Sequence, residues 1–94
     1  MHLLEHAPET VSIIYRKAGD VHVFISPDLQ GLHVGAKTMR QAFSMIPDAV
    51  SGLVELSCGV KADYEPSLSY EEFKTQVRHL NPILTVKIDH HAHS

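Results

Sequence analysis

Residues 25–56, ISPDLQGLHVGAKTMRQAFSMIPDAVSGLVEL, hold a strand end, a turn, a short strand and a long helix in quick succession. Pro27 has no backbone donor for a sheet ladder and stops the strand that enters the stretch. Ser26-Pro27-Asp28-Leu29-Gln30-Gly31 has turn composition. Leu32 and Val34 then read as a short strand, and Gly35 permits the bend after it. Thr38 is a good N-cap. From there Met39, Ala42, Phe43, Ile46, Val50, Leu53, Val54 and Ser57 recur at helical spacing, an apolar stripe suited to covering a sheet. Pro47 falls inside that stripe, where a proline removes one helical hydrogen bond and clashes with the preceding turn. A kink or break is expected near Met45–Pro47, or a second helical segment with Ser44 as its cap. Cys58-Gly59 ends the helix, since glycine readily takes the left-handed C′ conformation.

Upstream, Val11, Ile13 and Tyr15 alternate with Ser12, Ile14 and Arg16, a strand with one buried face. Lys17-Ala18-Gly19-Asp20 has hairpin-loop composition. In the return strand Val21, Val23 and Ile25 alternate with His22, Phe24 and Ser26, and the aliphatic set is expected to face the core. Downstream, Lys61 to Pro66 reads as a linker or short extended piece. Ser69-Tyr70-Glu71-Glu72 is a capping box, with Leu68 and Phe73 placed for a hydrophobic staple. That helix should run to about His79, because Asn81-Pro82 terminates it. Leu84, Val86 and Ile88 alternate with Thr85 and Lys87, a C-terminal strand. The class is α+β: a small antiparallel sheet in a β-β-β-α core, with one main helix on one face, then a second helix and a strand.

Ninety-four residues make one small domain with a single core. Its core spans 11–57, the C-terminal helix and strand 67–89, and a histidine-rich tail 90–94. With 44% apolar and 20% charged residues the chain has the composition of a folded domain, not a disordered one. Its single cysteine, Cys58, excludes an intramolecular disulfide and reads as a small core residue. No apolar run approaches the roughly 20 residues that span a bilayer. The N-terminal MHLLEHAPET has neither a basic region nor a long apolar one, so a cytoplasmic location is expected. The net charge of −3, with no Lys/Arg block, argues against direct nucleic-acid binding and suits a basic protein partner. Protonating the eight histidines would turn the net charge positive.

The hairpin, the turn Ser26–Gly31, the segment Gly35-Ala36-Lys37-Thr38 and the helix through Glu55 together resemble the HicB-like superfamily of antitoxins and small solo domains. Its signature is a strand, a "PDLPG"-like turn, a short strand, and a small-polar-Thr entry into a helix ending "LxE". Here the turn reads PDLQG, with Gln30 in place of the second proline. Ile46-Pro47-Asp48-Ala49-Val50 looks like the solo members, some of which carry a proline there. The resemblance covers roughly Val11–Glu55, about half the chain. It implies a degraded ribonuclease H fold without catalytic carboxylates, which binds and blocks a small basic RNA-cleaving toxin. HicB antitoxins add a C-terminal operator-binding domain, helix-turn-helix or ribbon-helix-helix. This chain departs after Glu55, where neither motif can be read.

The candidate partner-binding residues are Ile14, His22, Phe24 and His33, expected together on the face opposite the aliphatic one. Such a face is too apolar for water, and the expectation is that a second copy, a partner or the C-terminal half covers it. Asp89, His90, His91 and His93 have metal-ligand composition, and His2 and His6 could join them only if the termini meet. A cluster so near the chain end reads as a solvated tail, and no metal or other cofactor is expected. No nucleophile elbow, HExxH or phosphate loop is present. Asp28 reads as ordering its own turn, with an Asp28–His33 acid–base pair as the catalytic alternative. The expected function is therefore non-catalytic protein binding: an antitoxin-like module masking a basic ribonuclease toxin. A homo-oligomeric module, or a metal- or pH-responsive binder using the tail, are the alternatives.

Overall fold

The computed structural model describes residues 6–79 and 82–88. β1 (Thr10–Ala18) and β2 (Val21–Ile25) form an antiparallel hairpin with only Gly19-Asp20 between them. Gly19 has φ +60°, which tight two-residue hairpin turns require at that position. β3 (His33–Ala36) pairs with β2 to complete the meander, and α1 (Met39–Cys58) crosses back over the sheet. β4 (Tyr64–Pro66), α2 (Tyr70–Arg78) and β5 (Ile83–Ile88) complete the chain. β5 slots between β1 and β4, giving the fully antiparallel order β3-β2-β1-β5-β4. The α+β class, the meander followed by the main helix, and the later helix and strand all form as expected. The segment expected to be a linker or short extended piece is extended at its end, where it supplies the edge strand β4, which pairs through three residues and ends at Pro66.

The core lies on one side of the sheet. Val11 and Ile13 of β1, Phe24 of β2, Val34 of β3, and Leu84 and Val86 of β5 are buried there. Ala42, Phe43, Ile46, Val50 and Val54 of α1 and Phe73 of α2 cover them. Thr38 caps α1, its hydroxyl accepting from the Gln41 amide at 3.1 Å. Gly59 ends it with φ +74° and donates to the Glu55 carbonyl. The capping box of α2 is complete: Ser69 Oγ accepts from the Glu72 amide, and Glu72 Oε1 accepts from the Ser69 amide.

Two expectations need correction. The first is the break at Pro47, for α1 runs through it without interruption. A helix-interior proline costs about 3 kcal/mol. Phe43 and Ile46 before it, and Val50 and Val54 after it, are all buried against the sheet, each contributing about 1.5–3 kcal/mol. Burial on both sides of Pro47 keeps the helix continuous across it. Ser44 is not a cap either; its hydroxyl donates to the Gln41 carbonyl at 2.7 Å.

The second correction concerns β2. Tyr15 pairs with Phe24 and Lys17 with His22, while Ile14 pairs with Ile25. Paired residues of an antiparallel ladder share a face, so His22 and Phe24 join Tyr15 on the core side. Val21, Val23 and Ile25 turn outward with Ile14. The cause is the parity of the connection. An even-numbered loop places odd residues of β1 opposite even residues of β2, whatever the hydrophobicity of the alternating sets.

Candidate protein-binding surfaces

The corrected register separates the four candidate residues. Phe24 is fully buried, with its ring centroid 5.4 Å from Tyr15 and 5.6 Å from Phe73. It is a core residue and touches no surface. His22 lies on the same side, half-buried, with Nδ1 2.6 Å from the Tyr15 hydroxyl and its ring stacked on the tyrosine. Ile14 and His33 lie on the outer side, His33 paired opposite Ile25. The two histidines, expected on one face, therefore sit on opposite faces.

Antiparallel sheets that leave one side in water usually alternate apolar inward and polar outward. Here β2 departs from that pattern. Ile83, Ile14 and Ile25 line up across β5, β1 and β2 in a single cross-strand row that ends at His33 of β3. Val23 and Val21 extend it along β2. Ile83 is 52% exposed and Val21 37%, while Ile14, Val23 and Ile25 are half-buried. Ser12, Thr85, Arg16 and Lys87 border the patch. The C-terminal half was one expected cover for this side. Instead β5 widens the sheet, and Phe73 of α2 packs on the core side with α1.

A second apolar stripe runs along α1. Met45, Ala49, Gly52 and Leu56 recur at three- and four-residue spacing beside the helix's buried face. Leu56 is 82% exposed. A methyl group added at Gly52 would meet nothing within 4 Å, so no contact inside the domain asks for glycine there. Asp48 and Glu55 flank the stripe, and no basic residue stands in the last turn of α1 to offset the negative helix end. This stripe was missed from the sequence because its members read only as the helix's solvent side.

The chemistry-bearing side chains are occupied within the fold. Asp28 neither orders its turn nor pairs with His33. Its Oδ2 accepts the backbone N–H of Ser12 at 2.8 Å, where β1 extends beyond its ladder with β2. The turn is held by Ser26, whose Oγ accepts from the amides of Asp28 and Leu29. Asp28→Ala is expected to cost about 1 kcal/mol, the net worth of one such bond. Asp28→Asn, which keeps an acceptor oxygen, should recover most of it; urea midpoints of the two variants check this. If Asp28→Asn costs as much as Asp28→Ala, the carboxylate acts through its charge rather than as a stand-in strand partner.

At the α2 side of the core, Arg40 and Lys74 both reach Glu71, at 3.1 and 3.4 Å, and both lie over the Tyr70 ring. Burial, with a smaller contribution from Tyr70, raises the Tyr15 phenol above its ordinary value. Tyr64, whose hydroxyl donates to the Pro8 carbonyl, is raised chiefly by burial as well. Both phenols therefore stay neutral through the range in which exposed tyrosines begin to ionise. Cys58 packs at the margin of the core, its thiol donating to the Val54 carbonyl.

Among the described residues no group of three or more His, Cys, Asp or Glu is placed to hold a metal ion. Asp89, His90, His91, His93 and His2 lie outside the described residues. No helix among the described residues is long and apolar enough to cross a membrane. No protein-family model, no curated protein and no solved structure matches the chain.

Proposed function

We propose that this domain is a non-catalytic protein-binding module, an antitoxin or orphan relative of the kind the HicB-like resemblance implies. Its client is a small basic ribonuclease, which it inhibits by occlusion. The observation that carries the reading is the α1 stripe, where Leu56 stands 82% exposed beside Glu55 and an unneutralised helix C-terminus. An exposed leucine in an acidic surround suits a basic partner with an apolar contact point. The charges speed encounter, and the buried leucine supplies affinity. Gly52 leaves open space beside the helix backbone, where a partner's side chain or backbone can approach closely. A helix-interior glycine is about 1 kcal/mol worse than alanine, a cost that close contact with a partner at Gly52 would explain. The net charge of −3 acts in the same direction. Occlusion asks for no chemistry of its own, which fits the internal engagement of Asp28 and the Tyr15–His22 pair.

Co-expression with the product of the adjacent gene tests the reading. The expected result is a stable complex with a small basic protein whose ribonuclease activity is lost on binding. Leu56→Glu, fully tolerable at so exposed a site, should weaken that complex at least about tenfold, or about 1.4 kcal/mol. A neighbour that fails to co-purify, or that binds without losing ribonuclease activity, removes the antitoxin reading.

A further inference from the structure

We infer that the partner docks on α1 through an amphipathic α-helix of its own, with lysine or arginine beside its apolar stripe, packed lengthwise on Met45, Ala49, Gly52 and Leu56. This rests on the proposed reading of the α1 stripe as the partner surface, and names the element that fills it.

The spacing of the stripe points to a helix. From Met45 the intervals are four, three and four residues. That is the alternation of d and a positions in a heptad repeat, the pattern one helix presents to another lying along it. The domain's own packing does not use these positions for its centre, because the buried face of α1 is the neighbouring stripe of Phe43, Ile46, Val50 and Val54. Leu56 is 82% exposed and Met45 41%, and Gly52 is exposed between them. Ala49 and Gly52 keep the middle of the surface low, with a long apolar side chain standing at either end. A helix laid there can approach to about 8 Å between axes, the close limit of ordinary helix packing.

Charge selects which helix. In the same heptad frame Asp48 and Glu55 both fall at g, along the solvent side of the stripe. Both are exposed, and neither forms an ion pair with any described residue. Charges flanking an apolar seam set partner choice between packed helices. The last turn of α1 carries no basic residue, so its negative end adds to the same field. On the other flank the domain itself forms the wall: Leu53 lies against the turn at Gly31, where a Cβ would stand 3.7 Å from Leu53 Cδ2.

A second copy of this chain is a poor occupant. Laid antiparallel on itself the stripe matches, Met45 opposite Leu56 and Ala49 opposite Gly52, but the carboxylates of one chain then face those of the other. Laid parallel, they face Ile46 and Leu53 and meet no cation. The occupant is therefore a basic helix from a different protein.

Three synthetic peptides of about three heptads each supply the test. All carry leucine at a and d. One has lysine at e and g, another glutamate there, and the last is the lysine peptide with a central proline that breaks its helix. Uniform flanking charge keeps each peptide from pairing with itself. Fluorescence anisotropy reads binding to the full chain, and NMR shift mapping on the labelled chain locates it. The lysine peptide should bind at least about tenfold more tightly than either of the others, with shifted amides along Met45–Leu56. Asp48→Lys combined with Glu55→Lys, at two exposed positions, should reverse the preference toward the glutamate peptide with an unchanged circular dichroism spectrum. A lysine peptide that fails to bind at several hundred micromolar overturns the inference. So does a proline peptide that binds equally well, or a double reversal that leaves the order unchanged. None of these readouts needs a ribonuclease. A lysine peptide seated on α1, with no ribonuclease co-purifying, removes the antitoxin reading and leaves the helix site standing. An inhibited ribonuclease complex with no peptide binding removes the helix site and leaves the antitoxin reading.

Discussion

Phe24→Ala is expected to destabilise the domain by about 3–5 kcal/mol, the range for emptying a large aromatic site in a core. Small domains sit near the low end of the usual stability of about 5–15 kcal/mol. The variant should therefore be largely unfolded at body temperature and show a greatly reduced urea midpoint. Phe24 is fully buried, and its ring lies within 6.3 Å of Tyr15, Phe43 and Phe73, centroid to centroid. Aromatic pairs of this geometry add about 0.5–1.5 kcal/mol beyond the area they bury. The neighbouring Ile25→Ala makes the comparison decisive. Ile25 is a half-buried outer-face residue, so its truncation should cost well under half as much. If Ile25→Ala proves the more damaging of the two, the two sides of β2 are exchanged and the outer-face patch does not exist.

Pro47→Ala is expected to act in the opposite direction, raising stability by about 1–3 kcal/mol. Alanine restores an amide that can donate to the Phe43 carbonyl and removes the ring's clash with that turn, effects together worth about 3 kcal/mol in an ideal helix. Part of the gain is lost because Pro47 is half-buried and its ring has contacts to lose. For a domain of this size each kcal/mol moves Tm by about 4–8 °C. A scanning calorimeter should register a clear upward shift. A fall in Tm would mean that the ring's packing outweighs the missing bond. The helix would then have been built around its proline rather than in spite of it.

Much of this fold can be read before any coordinates are seen, and the failures are specific. Thr38, Gly59 and the Ser69–Glu72 box marked three of the four helix ends because caps act through local hydrogen bonds. β2 was phased wrongly because both of its alternating sets, Val21-Val23-Ile25 and His22-Phe24, carry apolar side chains. Hydropathy alone cannot orient such a strand. The information was nevertheless present in the loop: either two or four residues between the strands puts Phe24 on the side of Val11 and Ile13. Ladder parity outranks side-chain preference, and applying it would have placed Ile14 and Ile25 together on the surface. Pro47 misled in the converse way, since a local penalty was weighed without the burial on either side of it. The partners of Asp28 and of β4 were illegible for a different reason. The Ser12 amide that Asp28 receives, and the β5 edge that Tyr64–Pro66 joins, belong to segments distant in the chain.

The insertion of β5 between β1 and β4 has a bearing on how the chain is made. Among the described residues β4 pairs only with β5, and β5 is the strand that covers that edge of β1. On the ribosome, the meander and α1 emerge long before Ile83–Ile88 can reach them. Through that interval β1, the longest strand, presents a bare edge of unpaired amides and carbonyls to solvent, with Ile14 at its middle. Emergence of Ile83–Ile88 is the event that seals the sheet. Truncations ahead of Pro82 should leave that edge permanently open to aggregation.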